Sequence, residues 1–336
     1  MELREMDRLI CLGIESTADN LGVGVAASDG TILANVVRVH VPDTGGIHPR
    51  EAAQHHAAEI GNALSEALKA SGIKSEDIDV IAFSQGPGLG PCLRTGATSA
   101  RALSTYLNVP LVGVNHCVAH IEIGRLLTGA EDPLTLYVSG GNTLVSGYEA
   151  GRYRVFGETL DIAVGNCLDT FAREAKLPYP GGPAVEKHAS MGERLIQLPY
   201  TVKGMDLSFS GLMTAAIGEL KSGRWNLEDL CFSLQETAYA MLGEVTERAL
   251  AHTRKGELLL TGGVAANKRL RSVIQNIAEE HGAVPSFVPL SCATDNGAMI
   301  AWTGILAYNN GIRTPIDASF IDSRWRIDEV EVPWRA

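Results

Sequence analysis

The amino-terminal third of the chain has a pattern of apolar and polar positions that predicts strands first and helices afterwards. Residues 8–15 are almost continuously apolar, residues 21–27 alternate small and apolar side chains, and residues 31–40 follow a Ser-Asp-Gly turn. Such runs are typical of buried strands, and a turn of this composition is typical of a hairpin. We therefore expect three antiparallel strands, followed by a polar loop at 43–50.

Helices and strands alternate after that loop. The periodicity predicts helices at 50–70 and 94–107 and strands at 78–84 and 110–114. The stretch between the first of these strands and the second helix, residues 85–92, is too rich in glycine and proline to be regular.

The strand pattern then begins a second time. After a break at residues 129–133, strands are predicted at 134–138, 143–148 and 152–158, and a later strand at 257–261 leads into a glycine pair. Three strands followed by alternating helices and strands are typical of a ribonuclease-H-like unit. The repeat therefore predicts an internal duplication.

We predict an α/β protein with two ribonuclease-H-like lobes and a cleft between them. The first lobe is expected at residues 1–130 and 296–336, because the final strong helix, about 296–308, should cross back onto it. The second lobe is expected at residues 131–295.

Composition and charge narrow the class of protein. The chain has 336 residues, 45% hydrophobic and 20% charged, which is typical of a globular protein with two cores. It has no run of 18 apolar residues. Its amino terminus is charged, unlike a signal peptide, and its six cysteines are scattered. These features favour a cytoplasmic protein. The net charge is 28 − 39 = −11, so strong unaided binding to nucleic acid is not expected. Candidate basic strips lie at 268–271, 324–326 and 334–335, where a solvated helix face or a docked terminus is the alternative.

Two histidines are the first candidates for chemistry. Asn115 follows an apolar strand and is a good N-cap, so His116 and His120 should lie on one face of a new helix. A pair at this spacing can bind one metal ion, and two surface or packed histidines are the alternative. Asp295 either caps the final helix or is a third ligand, and Tyr137 could add a phenolate oxygen.

Two glycine turns are candidates for binding a nucleotide. Residues 139–142 (Ser-Gly-Gly-Asn) offer backbone N–H groups that no side chain blocks. The glycine pair 262–263 lies at a strand-to-helix junction, which favours phosphate, and Asn267 is expected one turn into that helix. Ordinary turn chemistry is the alternative for each.

Three carboxylates also have two interpretations. Asp161 and Asp169 bracket an otherwise neutral segment, where each is either a helix cap or a group that holds a ligand. Glu186, one turn into the helix after a rigid Pro-Gly-Gly-Pro turn, is either a solvated acid or an acceptor for ribose hydroxyls.

Nine segments in a fixed order cover nearly the whole chain. They are SQGPGLGPC (84–92), GVNHCVAH (113–120), YVSGGN (137–142), GETLD (157–161), PGGP (180–183), MDLSFSG (205–211), SLQE (233–236), GGVAANK (262–268) and DNGAM (295–299). Together they are highly specific. The chain resembles the archaeal and eukaryotic-type tRNA threonylcarbamoyladenosine synthases, the catalytic subunits of the KEOPS complex.

This resemblance implies a fold shared with actin, sugar kinases and heat-shock ATPases, with a nucleotide in the inter-lobe cleft. It implies transfer of a threonylcarbamoyl group from threonylcarbamoyl-AMP to the exocyclic amine of the tRNA adenosine just 3′ of the anticodon. The matching metal ligands are His116, His120 and Asp295, with Tyr137 from the second lobe. The matching nucleotide-binding positions are Tyr137, Val138, Ser139, Gly140, Gly141, Asp169, Gly182, Glu186 and Asn267.

The resemblance also implies cofactors and partners. These are one metal ion per chain, with iron favoured and zinc the alternative, and AMP, ATP or threonylcarbamoyl-AMP as nucleotide ligand. The tRNA would bind with the help of companion KEOPS subunits, among them a small kinase-like ATPase that some archaea fuse to this subunit. One departure is Asp19 in the first hairpin turn, where many archaeal-type members have a histidine, so the role of that turn is open.

Other functions remain open on the residues alone. A small-molecule kinase of the same fold and a non-catalytic nucleotide-binding regulator are the alternatives. A metalloprotease is disfavoured, because Cys117 stands where His-Glu-x-x-His enzymes have their glutamate, and Glu122 lies on another helix face. No residue is evident as a general base.

Overall fold

A computed structural model describes residues 8–42 and 46–335, so the predicted loop at 43–50 and the charged amino terminus lie partly outside the described residues. The strands are β1 (Ile10–Glu15), β2 (Asn20–Ala27), β3 (Ile32–Val39), β4 (Val80–Gly86), β5 (Leu111–Asn115), β6 (Leu134–Val138), β7 (Thr143–Glu149), β8 (Arg152–Glu158), β9 (Val202–Lys203), β10 (Asp206–Leu207), β11 (Glu257–Thr261) and β12 (Val284–Phe287). The helices are α1 (Pro49–Ser71), α2 (Gly90–Leu107), α3 (His116–Thr128), α4 (Val164–Glu174), α5 (Gly181–Ala189), α6 (Ser210–Ser222), α7 (Leu227–Thr253), α8 (Lys268–Glu280), α9 (Leu290–Ala293) and α10 (Gly297–Asn309).

The chain divides into two compact units. The first unit comprises Met1–Leu126, Ala150–Tyr153 and Asp295–Ala336, and the second comprises Leu127–Glu149 and Arg154–Thr294. The lobe boundaries proposed from the sequence stay a prediction.

The sheet of the first unit has the order β3-β2-β1-β4-β5. Strands β1, β2 and β3 pair antiparallel, and β4 and β5 continue the sheet in parallel. Helix α10 packs directly on β1 and β2, because a Cβ on Gly24 would lie only 2.2 Å from the backbone nitrogen of Ala298. Glycine in the strand therefore permits the close approach of helix and sheet.

The second unit repeats this arrangement. Its sheet has the order β12-β11-β6-β7-β8, with β6 and β7 antiparallel and β11 parallel to both β6 and β12. Numbered along the chain within each five-stranded sheet, the strands of both sheets lie in the order third, second, first, fourth, fifth. The predicted duplication of a ribonuclease-H-like unit is confirmed by this shared order.

Most predicted elements are found within two residues of their predicted bounds. Helices α2 and α8 differ in the residue at which they begin. Helix α2 begins at Gly90 rather than 94, because Pro91 lies in its first turn, where a missing N–H costs nothing. Helix α8 begins at Lys268 rather than about 266, after a short 3-10 turn at Gly263–Ala266.

The longest helix, α7, is absent from the predicted elements. Its buried side chains run from Leu230 to Leu250 and face several directions, so the helix lacks the single apolar face on which periodicity depends. No helix among the described residues is both long and apolar enough to cross a membrane.

A carboxy-terminal segment, residues 312–335, covers the open edge of the first sheet and is called the C-terminal strap below. The backbone nitrogen of Thr314 donates to the carbonyl oxygen of Leu111 on the edge strand β5, at 2.8 Å. The hydroxyl oxygen of Thr314 accepts from the backbone nitrogen of Gly113, also at 2.8 Å. The strap thus satisfies backbone groups that an open edge would expose.

Candidate functional site

Helix α3 starts where the sequence predicts it. The side-chain oxygen of Asn115 accepts hydrogen bonds from the backbone nitrogens of Cys117 and Val118, at 3.0 and 3.2 Å. His116 and His120 follow on one face, both buried, with ring centroids 4.7 Å apart. The N-cap prediction for Asn115 is confirmed.

Asp295 joins the histidine pair. Its Oδ1 atom lies 3.1 Å from Nε2 of His120 and 3.5 Å from Nε2 of His116. The cap of α10 is instead the neighbouring Asn296, whose side-chain oxygen accepts from the backbone nitrogen of Met299 at 3.0 Å. The capping interpretation of Asp295 is therefore wrong, and its carboxylate faces the two imidazoles.

Glu15 is a site residue that the sequence reasoning missed. It is fully buried, and its Oε2 atom lies 3.0 Å from Nδ1 of His116, while Oε1 accepts from the backbone nitrogen of Thr17 at 2.7 Å. A carboxylate at Nδ1 holds the ring proton there and leaves Nε2 to act as a ligand. The available signal was an acid at the end of an otherwise apolar buried strand.

The electrostatics of this cluster favour a cation. Burial alone would lower the pKa of His116, but Glu15 and Asp295 outweigh it and raise that pKa to about 9. Burial lowers the pKa of His120, and the neighbouring His116 lowers it further. Burial opposes ionisation of Asp295, yet the two histidines lower its pKa. The fully buried Glu15 and the partly exposed Asp295 thus both face His116, and two acids beside the imidazole pair favour a cation.

The donor set fits a metal ion. The three ligand atoms of His116, His120 and Asp295 all lie within 4.8 Å of one another. Ligand atoms that each lie about 2.0–2.2 Å from one metal ion are separated from one another by distances of this order. Two imidazoles and a carboxylate suit a catalytic metal with open positions. Tyr137 belongs to the second unit, and its part in the ligand set stays a prediction.

In the second unit, the turn between β6 and β7 is partly closed on itself. The hydroxyl oxygen of Ser139 accepts from the backbone nitrogens of Asn142 and Gly141, at 3.0 and 3.3 Å. These two N–H groups are therefore already engaged, contrary to the expectation that the turn leaves its donors open. Added Cβ atoms on Gly140 and Gly141 would meet nothing within 4 Å, so the outer backbone face remains open.

Other glycines of this unit serve packing. Gly262 has φ +97°, and a Cβ there would lie 2.1 Å from the carbonyl oxygen of Val138. A Cβ on Gly165, at the start of α4, would lie 2.5 Å from the carbonyl oxygen of Ser139. Both positions require glycine because backbone segments touch there.

Asp169 lies inside α4 and does not cap that helix. Its Oδ1 atom accepts from the backbone nitrogen of Gly181 at 2.8 Å, so it anchors the start of α5 instead. Burial raises the pKa of Asp169, and the amides of Gly181 and Gly182 partly oppose this. Burial alone would raise the pKa of Asp161, but hydrogen bonds from Ser208, Ser210 and nearby amides outweigh it and lower that pKa. The same hydrogen bonds hold Asp161 at the start of α6.

Asn267 and Glu186 meet at the first turn of α8. Asn267 is the N-cap rather than one turn inside, since its side-chain oxygen accepts from the backbone nitrogen of Leu270 at 3.0 Å. Its amide nitrogen donates to Gln235, also at 3.0 Å. Glu186 accepts from the backbone nitrogen of Lys268 at 2.8 Å. Glu186 and Asn267 therefore accept hydrogen bonds from the backbone amides at the start of α8, which the sequence suggested would bind a phosphate.

Some charges of the basic strips are engaged by the chain itself. Arg269 forms an ion pair with Glu236 at 2.7 Å, and Arg326 forms one with Asp328 at 3.0 Å. Arg271 donates to the carbonyl oxygen of Ala265 at 2.6 Å. Two arginines of these strips are therefore paired with acids, and weak unaided binding of nucleic acid stays a prediction.

Comparison with known proteins gives a family match over most of the chain. The model of the TsaD family, described as tRNA N6-adenosine threonylcarbamoyltransferase, matches residues 31–302. A relative from Thermofilum pendens with the same descriptive name is 56% identical over 331 residues, which cover 98% of each chain. A relative from Methanobrevibacter smithii, named probable bifunctional tRNA threonylcarbamoyladenosine biosynthesis protein, is 56% identical over 97% of this chain and 60% of its own length.

Among solved structures, HypF from T. kodakarensis is similar in fold. The TM-score is 0.64 at 15% identity, over 92% of this chain and 49% of that one. The predicted fold class, two α/β lobes of the actin and sugar-kinase type, agrees with this likeness.

Proposed function

The chain belongs to the tRNA N6-adenosine threonylcarbamoyltransferase family, and from that membership we propose that it transfers the threonylcarbamoyl group to tRNA with the help of a metal ion. The donor is threonylcarbamoyl-AMP, and the acceptor is the exocyclic amine of the adenosine 3′ of the anticodon. The observation that carries the metal assistance is the convergence of His116, His120 and Asp295.

The first unit supplies the metal ligands. His116 and His120 would bind through Nε2 and Asp295 through Oδ1, while Glu15 keeps the His116 proton on Nδ1. A metal ion bound there would supply Lewis-acid polarisation of an oxygen on the donor substrate.

The second unit supplies the nucleotide-binding positions. The open face at Gly140 and Gly141 allows adenosine or phosphate to lie against the backbone, and Glu186 retains a second carboxylate oxygen for a ribose hydroxyl. The remaining assigned positions are Tyr137, Val138, Ser139, Asp169, Gly182 and Asn267.

The reaction balances without a further co-reactant. The amine nitrogen of adenosine forms a bond to the carbamoyl carbon, and the bond from that carbon to the phosphate oxygen breaks. AMP leaves with the electron pair, and the amine proton passes to water or to the leaving phosphate. The residues of this chain orient and polarise the donor, and none is assigned as the base.

The test is threonylcarbamoyl transfer from threonylcarbamoyl-AMP to tRNA by the purified chain with its companion subunits. We expect His120→Ala to abolish transfer while the melting temperature stays near that of the wild type. His281→Ala, at an exposed histidine paired with Glu247, is the matched control and should keep full activity. Normal transfer by His120→Ala would overturn the proposal.

We propose iron as the metal, with zinc as the alternative. If Tyr137 binds ferric iron as a phenolate, the iron-loaded protein is coloured and Tyr137→Phe loses the visible band. A colourless wild-type protein with one zinc per chain would contradict both the iron and the tyrosinate assignment.

The nucleotide site has its own test. Gly140→Val places a side chain in open space, so it should leave the fold intact and weaken AMP binding by roughly tenfold, about 1.4 kcal/mol. Gly256→Ala, at another open glycine of the second unit, is the control and should bind AMP normally. Unchanged AMP affinity in Gly140→Val, measured by calorimetry, would remove this turn from the site.

For partners, we propose companion KEOPS subunits that include a small kinase-like ATPase, in the cytoplasm. The net charge of −11 predicts that the chain alone binds tRNA weakly and that companion subunits supply basic surface. Micromolar binding of tRNA by the chain alone at physiological salt would contradict this. The contacts of Glu122 with Tyr153 and Arg125 further disfavour the protease alternative, because they engage both oxygens of the nearest glutamate on the histidine helix.

A further inference from the structure

Glu122 is a buried carboxylate on α3 that the proposed reaction does not use. It is 1% exposed, and its two oxygens accept from the hydroxyl of Tyr153 and from the guanidinium of Arg125, both at 2.6 Å. Tyr153 is itself fully buried, and its oxygen accepts from Nη1 of Arg335 at 3.1 Å. Arg335, Tyr153 and Glu122 thus form a donor chain from the end of the C-terminal strap into the histidine helix.

The strap holds the start of the same helix as well. Asn115, which caps α3, donates through its side-chain nitrogen to the carbonyl oxygen of Trp325 at 3.1 Å. Asn115 and Glu122 are about 10 Å apart along the helix axis. Both histidines lie between these two fixed points.

Two fixed points restrict sliding and rotation of a helix. A single anchor at Asn115 would still allow α3 to rotate, and rotation would move His116 and His120 relative to Asp295. Metal sites tolerate ligand displacements of only about 0.2 Å. A buried carboxylate that needs hydrogen-bond donors has a defined position, because displacement leaves it unsatisfied.

We infer that Arg335 is a positioning residue, which acts through Tyr153 and Glu122 so that the C-terminal strap sets the geometry of the metal ligands. This inference rests on the proposed metal site. Arg335 reaches α3 through Tyr153 and Glu122, so its expected effect is on metal affinity and on the opening of α3 rather than on the chemical step.

The experiment compares metal-free full-length variants with the wild type. In Arg335→Met and Tyr153→Phe we expect the dissociation constant for zinc, measured by chelator competition, to rise roughly 2- to 30-fold. Hydrogen exchange of the α3 amides should accelerate in the same variants. Arg335→Lys retains a donor and should recover part of the affinity.

The chain offers a matched control. Arg152 lies next to Tyr153 and forms an exposed ion pair with Glu331 of the strap at 3.2 Å. Arg152→Gln therefore removes a second link between the same two segments without touching the donor chain. We expect its zinc affinity and α3 exchange to match the wild type.

The outcomes separate the inference from the proposed function. If Arg335→Met lowers the melting temperature but leaves zinc affinity and α3 exchange unchanged, the donor chain is merely structural and the inference is wrong. An equal loss of affinity in Arg152→Gln would also overturn it. If the wild type binds no metal at all, the metal site itself falls, and the inference with it. Should Tyr153→Phe fail to fold, the pair Arg335→Met and Arg335→Lys decides.

Discussion

The turn after β1 and the turn after β6 follow equivalent strands in two sheets of the same order, yet they are built in opposite ways. In the first, Ser16 is fully buried, and a Cβ on Gly96 would lie 2.1 Å from its hydroxyl oxygen. In the second, Gly140 and Gly141 are exposed with open space beside them. Strand β1 ends in the buried acid Glu15, whereas β6 ends in Val138.

The difference shows that the same strand order carries a turn packed with buried side chains in one unit and a turn with an open outer face in the other. In the first unit, buried side chains orient one another, as Glu15 does for His116, so the arrangement depends on defined hydrogen-bond partners. In the second, the outer backbone face at Gly140 and Gly141 is open, and its accessibility depends on the absence of side chains there. Substitutions in the turn after β1 should therefore lower stability, because they disturb buried contacts. Substitutions in the turn after β6 should act only by blocking access to its backbone.

The largest effect is expected at Glu15. Glu15→Ala removes the group that orients His116, and loss of such a partner typically weakens metal binding 10- to 100-fold. Chelator competition on the purified variant measures the change. AMP affinity should be unaltered, and wild-type metal affinity in the variant would show that Glu15 is not needed to orient the ring.

A smaller effect is expected at Gly96. In Gly96→Ala the new methyl group would overlap Ser16, and such overpacking should lower the free energy of unfolding by about 1–3 kcal/mol. Urea denaturation measures the loss. The double variant with Ser16→Gly removes the overlapping side chain and should recover part of it, whereas no recovery would mean that the crowding lies elsewhere.

Acid should lower the free energy of unfolding by protonating His56, which contacts the turn after β1. This buried ring hydrogen-bonds the carbonyl oxygen of Ala18 at 3.0 Å, and burial together with His55 lowers its pKa from 6.5 to about 4. The unfolded chain then binds more protons between these pH values, so stability is complete above pH 6.5 and falls as the pH drops towards 4. We expect a loss on the order of 2 kcal/mol. Denaturation at both pH values should show a flatter dependence in His56→Gln, and an identical dependence would exclude His56 as the cause.

The smallest effect is expected in the open turn. Gly140→Ala should change the free energy of unfolding by no more than about 0.5 kcal/mol, because the added methyl group meets no neighbour. The same urea titration used for Gly96→Ala provides the comparison. A loss as large as that of Gly96→Ala would show that the two turns do not differ in packing.

Local features of the fold were predictable where the pattern itself is local. The strands at 134–138 and 152–158 were predicted at their observed bounds, and Asn115 was recognised as a cap, because a short apolar run and an N-cap residue act over a few positions. Helix α7 was missed since its burial on several sides hides the helical period.

The pattern along the chain was enough to predict the order of the strands and helices from β1 to β8, the duplication and the residue types able to bind a metal. The folded chain places Asp295 against His120, 175 positions away, and leaves its neighbour Asn296 to cap the helix, which no local pattern indicates. It likewise brought Glu15 to His116 across 101 positions and engaged Asn267 and Glu186 at α8. Periodicity is a property of neighbouring residues, whereas the partner of a buried polar group depends on which distant segments pack against it.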